Sequence, residues 1–157
     1  MSIASDRPNI LIVTTDQQRT DTLSCYGSTF TDTPNLDTLA AQGVRLDRAY
    51  CSNPVCTPSR ASIFTGLYPS RHGAWNVGTN VPDQPMISHR LAEVGYVTCY
   101  LGKAHFQAFL CTPQQSVEAV GINPPYPDWR GPYYGFDSVE LAMMHGHTAW
   151  KSGHYGA

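Results

Sequence analysis

Asn9-Ile10-Leu11-Ile12-Val13-Thr14-Thr15, closing on Asp16, is an apolar and β-branched run without polar alternation. Such a run suits a strand covered on both faces, as in a parallel sheet. Downstream, Thr33-Pro34-Asn35-Leu36 reads as a helix start, with Thr33 as N-cap and Pro34 at the first helical position. Leu36, Leu39 and Ala40 keep helical spacing, and Gly43 stops the helix. Val44 to Tyr50 reads as a second extended segment. Pro58 can open another helix carrying Ala61, Ile63 and Phe64, closed by Gly66, and a further one runs from Pro85 to Val94 before Gly95. Tyr96 to Leu101 is a third strand ending at Gly102. This alternation predicts an α/β fold, with a mostly parallel sheet flanked by helices. Residues 111–135 change character: prolines are interleaved with Tyr126, Trp129, Tyr133 and Tyr134, which predicts a long ordered loop.

At 157 residues the chain suits one domain, and three Trp, nine Tyr and five Phe argue against disorder. A formal net charge of −2 excludes nucleic-acid binding driven by bulk positive charge. No apolar run approaches the roughly 18 residues of a membrane span. Met1 to Pro8 lacks a basic stretch followed by an apolar core, so the expected location is cytoplasmic. Five cysteines, an odd and sparse set, do not describe a disulfide framework. Cys25, Cys99 and Cys111 read as buried thiols, and Cys51 with Cys56 lacks the second pair a zinc site requires.

Chemistry concentrates in Cys56-Thr57-Pro58-Ser59-Arg60, followed by Ala61-Ser62-Ile63-Phe64-Thr65-Gly66. A cysteine just ahead of a proline-initiated helix sits where amides and the helix dipole favour negative charge. Arg60, one turn on, can present a planar donor fork to an anion. Spacing alone leaves two readings open: an activated thiolate nucleophile, or a half-buried loop cysteine beside a surface arginine.

Cys-x-Pro-Ser-Arg followed by Ala-Ser-x-x-Thr-Gly resembles the signature of the type I sulfatases, members of the alkaline phosphatase superfamily. Pro8-Asn9-Ile10-Leu11 leading to Thr15-Asp16-Gln17, Thr33 to Ala40, Gly66-x-Tyr68-Pro69 and Leu101-Gly102-Lys103-x-His105 resemble the same family, with Gly135-Phe136-Asp137 a weaker match. The likeness implies an alkaline-phosphatase-like fold, of which residues 1–157 would be the N-terminal portion of the catalytic domain. It implies that Cys56 is oxidised to formylglycine by a formylglycine-generating enzyme acting on residues 56–60, and that its hydrate is the nucleophile and a metal ligand. Asp16 would be the first metal carboxylate; Gln17 stands where the family usually has a second aspartate and still offers a carbonyl oxygen. Ca2+ is the ion expected of hard oxygen ligands, with Mg2+ or Mn2+ as alternatives. Lys103 and His105 match a pair that holds sulfate oxygens and the hydrated aldehyde, and two residues apart after a strand they would project to one side. Arg60 would fix the nucleophile and stabilise its charge, while His72 reads as a loop-structuring residue.

The implied activity is hydrolysis of small-molecule sulfate esters. Nothing after His105 matches the family's later metal ligands, its leaving-group histidine or its second lysine. The expectation is therefore half a metal site, inactive alone, in a chain that is either one subunit completed by a C-terminal polypeptide or a fragment of a longer product. His145, His147 and His154 are spaced too loosely to count as a metal cluster. Two rivals stand beside this reading. The Asp16-Gln17 pair also resembles relatives that cleave phosphonate monoesters and phosphodiesters, and the chain could be a non-catalytic remnant that acts by protein pairing.

Overall fold

The computed structural model describes residues 7–109, 116–118 and 129–142, in two compact units, Met1–Ala49 and Tyr50–Ala157. The expected loop over 111–135 is described at 116–118 and 129–135; its remainder, Cys111 included, and the histidines at 145, 147 and 154 lie outside the described residues.

The first unit holds two short 3-10 turns, Thr20–Thr22 and Ser24–Tyr26, and helix α1, Pro34–Gln42. Pro34 costs α1 nothing because an amide in the first turn has no intrahelical acceptor. Thr33 precedes the helix as expected but makes no side-chain cap. Its hydroxyl instead meets Ser24 Oγ at 2.7 Å and accepts the Ser24 amide at 3.0 Å, tying α1 to the turn before it. Gly43 closes the helix by donating its amide to Leu39 O at 3.0 Å. The expected strands over 9–15 and 44–50 are not formed: among the described residues neither segment joins a ladder, and a turn interrupts the second at 47–48. The reason is physical. A strand is completed by a neighbour's amides and carbonyls, and among the described residues the one sheet contains only strands from the other unit. Leu11 is accordingly 87% exposed.

The second unit carries α2, Cys56–Thr65; α3, Pro69–His72; α4, Ile87–Glu93; β1, Cys99–Gly102; and β2, Ser138–Leu141. The strands pair in parallel, Cys99 opposite Ser138 through Gly102 opposite Leu141. β2 was not foreseen, although Val139 and Leu141 point inward and Glu140 outward with a strand's period of two. β1 is shorter than expected because Tyr96 to Thr98 turn toward Asp137, whose carboxylate accepts the Thr98 amide at 2.7 Å and its hydroxyl at 3.0 Å. These two bonds hold the Asp137 carboxyl below its ordinary range. Alternation along β1 also sends Tyr100 inward and Cys99 outward, so Cys99 is exposed rather than buried, and Cys25 is half-buried.

Phe64 of α2 centres the core. Its ring meets Tyr100, Phe106 and Phe136 edge-on at 5.6, 5.4 and 5.7 Å. Each such pair adds about 0.5–1.5 kcal/mol beyond the area it buries. His72 is 1% exposed and structural: Nδ1 accepts the Ala74 amide at 3.1 Å. The neutral ring therefore carries its proton on Nε2 and donates to Ser62 Oγ at 3.0 Å, locking α3 to α2.

Candidate active site

α2 begins at Cys56, two residues before Pro58, so the cysteine is the first helical residue rather than ahead of the helix. The helix is set by Ser59 N donating to Val55 O at 3.0 Å, and Pro58 sits where a missing N–H is harmless. Val55 offers no capping side chain, so no side chain claims the first amides of α2. That end of the helix favours an anion by both its amides and its dipole.

Arg60, one turn along, is buried at 9% exposure, which removes the reading of a surface arginine. Its NH1 donates to the Lys103 carbonyl at 2.7 Å and lies 3.4 Å from the Tyr100 hydroxyl. Tyr100 also donates to Lys103 O, at 2.5 Å, and burial pushes its phenol up against the opposing pull of Arg60, so it stays a donor at neutral pH. The Lys103 backbone is thus gripped from α2 and β1 together. Its side chain turns back, and Nζ donates to Cys56 Sγ at 3.7 Å. Cys56, Arg60 and Lys103 form one cluster although they lie up to 47 positions apart.

His105 does not follow the expected strand alternation, because β1 ends at Gly102 and the backbone from Lys103 onward is irregular. His105 adopts a left-handed conformation, φ 54°, which costs a non-glycine residue about 1–2 kcal/mol. Its ring is 2% exposed and stacks on Phe109 at 5.2 Å. What holds this loop was not foreseen. Glu118, 1% exposed, accepts the Phe106 amide at 2.8 Å and the Gln107 amide at 3.1 Å on one oxygen, which also takes the Tyr133 hydroxyl. Burial pushes the Glu118 carboxyl up while these donors pull it down; burial dominates. A lone acid between Val117 and Ala119 is the faint sequence signal of such an inward carboxyl.

Asp16 and Gln17 belong to the first unit, at an exposed bend where Gln17 has φ 56°. Their oxygens suit a hard cation in kind but not in number. Among the described residues, no three His, Cys, Asp or Glu side chains gather to hold a metal ion. The residues described therefore do not complete a metal centre. No helix among them is long and apolar enough to cross a membrane. A separate groove of about 600 Å³ is lined by Asp83, His89, Gln107, Trp129, Tyr133 and Tyr134, among others, and by none of Cys56, Arg60, Lys103 or His105.

The sulfatase family profile matches residues 8–135. The chain is 38% identical over 136 residues to the uncharacterized sulfatase YidJ of Escherichia coli, covering 85% of this chain and 25% of that protein. To human arylsulfatase D it is 39% identical over 111 residues, 63% of this chain and 19% of that one. The chain thus spans a quarter or less of these relatives. Among solved structures, BT4656 in complex with its substrate D-glucosamine-2-N,6-O-disulfate matches at 38% identity and TM-score 0.62, over 64% of this chain and 20% of that one. The phosphonate monoester hydrolase of Agrobacterium radiobacter matches at 28% identity and TM-score 0.65, over 88% of this chain and 27% of that one.

Proposed function

The chain belongs to the sulfatase family, and from that premise we propose that it contributes the nucleophile-bearing part of a sulfuric ester hydrolase. The single observation that carries the reading is the cluster at the start of α2, where a half-buried Cys56 faces the Lys103 ammonium at 3.7 Å. The position fits an aldehyde made from Cys56 by a formylglycine-generating enzyme reading residues 56–60, because the site offers uncapped helix amides and a cation. That group, as its hydrate, supplies a hydroxyl nucleophile and a route for expelling sulfate without waiting for water. The rest of the chemistry belongs to the chain's own residues. Lys103 sets a positive charge beside position 56, where a sulfate oxygen gains negative charge during transfer. Arg60 acts through the Lys103 carbonyl, fixing where that ammonium can reach. His105 is read as the second group of the pair, holding sulfate or a proton near the nucleophile.

Asp16, Gln17 and Cys56 are proposed as part of a divalent-metal ligand set, Ca2+ first and Mg2+ or Mn2+ as alternatives, with the remaining ligands drawn from outside the described residues. The chain spans a quarter or less of these relatives, and the missing groups are assigned to the part of the family that it does not span. The groove at Trp129, Tyr133 and Tyr134 is a candidate for the alcohol portion of the ester. A cytoplasmic location is retained as part of this proposal, on the sequence argument alone.

One observation favours a second reading, hydrolysis of phosphonate monoesters: the long match to the Agrobacterium enzyme. The deciding experiment is intact-mass and Cys56-peptide mass spectrometry on natively purified protein, followed by matched aryl sulfate and aryl phosphonate assays with divalent metal. The expected result is an aldehyde at position 56, no turnover by residues 1–157 alone, and sulfate turned over faster than phosphonate once the C-terminal part is present. Faster phosphonate turnover moves the protein to the second reading. An unmodified Cys56 with neither activity overturns both and leaves a protein that acts by pairing.

A further inference from the structure

We propose that Glu118 is a positioning residue for His105. The inference rests on the reading of His105 as a group of the active site. His105 sits on irregular backbone in a left-handed conformation, uncommon for any residue other than glycine. Something must hold the residues that follow, and the amides of Phe106 and Gln107 both end on one Glu118 oxygen, at 2.8 and 3.1 Å. The grip is reciprocal. The Gln107 side-chain oxygen accepts the Val117 amide at 3.0 Å and the Ser116 hydroxyl at 3.1 Å, so residues 106–107 and 116–118 clasp each other through four bonds. Tyr133 closes the clasp: its hydroxyl donates to the same Glu118 oxygen and its ring stacks on Phe106 at 6.0 Å. On the other side, Phe106 O accepts the Val81 amide at 2.7 Å. The peptide units on the C-terminal side of His105 are therefore fixed, and their fixing decides where its ring meets Phe109.

A carboxylate that accepts several N–H and O–H bonds outperforms a neutral carbonyl of the same shape. E118Q keeps that shape and folds, while E118A removes the acceptor altogether. In amide hydrogen exchange on the full chain, E118Q is expected to speed exchange at Phe106 and Gln107 by about tenfold. The amides of β1 should keep their wild-type rates, and the His105 ring resonances should move. Where the active protein turns over aryl sulfate, E118Q should lower kcat about tenfold with KM within about twofold, and the H105A/E118Q double variant should be no slower than H105A alone.

Unchanged exchange and unchanged His105 resonances in both E118Q and E118A would overturn the proposal. So would faster exchange spread evenly over β1, or rate losses that simply add in the double variant. If the wild-type protein hydrolyses no sulfate, the functional reading falls, and the exchange and resonance measurements still decide whether Glu118 positions His105.

Discussion

Helices α1 and α2 have similar length and each ends at a glycine, Gly43 and Gly66, yet α1 buries none of its residues and α2 buries five. The whole described core lies between residues 57 and 141, in the second unit. The difference teaches that a helix's existence and its burial are decided at different levels. Turn chemistry at the ends suffices to start and stop both helices. Burial needs an apolar face opposite, and only α2 has one, in Tyr100, Phe106 and Phe136.

The sharpest way to break this comparison is to empty its centre. F64A should cost about 3–5 kcal/mol, read from urea denaturation, because a ring packed on three others leaves a cavity that cannot collapse. A loss below about 1 kcal/mol would mean the second unit does not depend on this core. The next test asks whether α2's buried side serves chemistry as well as stability. K103A should reduce kcat on aryl sulfate about 10²- to 10³-fold while leaving the urea midpoint near wild type. A full loss of folding instead would make the Lys103 side chain structural, since K103A leaves the carbonyl that Arg60 grips in place.

The third test uses pH to separate the helices. Burial holds the His72 imidazole below its ordinary 6.5. The unfolded chain therefore takes up the proton more readily, and this contribution to stability is intact above about pH 6.5 and is lost as pH falls through the folded value. Protection factors of the α2 amides, which His72 grips through Ser62, should fall on acidification once exchange is corrected for its intrinsic pH dependence. α1 contains no histidine and should show no such step. Equal responses would erase the contrast. The smallest effect belongs to α1 itself: L39A removes a side chain already 66% exposed and should shift stability by no more than about 0.5 kcal/mol by the same denaturation assay.

Much of the fold was legible because proline and glycine punctuate it. Pro34, Gly43, Gly66 and Gly95 sit at or within two residues of observed helix ends. The run from Asn9 to Thr15 misled because strand propensity is local while a ladder is not; those residues join no ladder among the described residues. β2 was missed for the opposite reason, since four residues carry too little pattern to stand out beside an aromatic-rich stretch. At the site, Cys56, Arg60 and Lys103 were legible from a contiguous motif and a second short one. The burial of Arg60, the turn of the backbone at His105 and the clasp by Glu118 were not, because each depends on contacts made across the fold.

The pairing of β1 with β2 also sets an order of events during synthesis. Thr98 and Asp137 are 39 positions apart, so the strand pair cannot close until the chain has been made past Leu141. Closing so long a loop is slow compared with forming a helix. α2 is made earlier, but the Tyr100, Phe106 and Phe136 rings that cover its buried side follow it, and a helix of ten residues is marginal without them. On a ribosome there is thus an interval in which Cys56 lies on a segment not yet packed, while Lys103, made later, has yet to be fixed beside it. The thiol at position 56 is easiest to reach in the nascent chain, before the second unit closes.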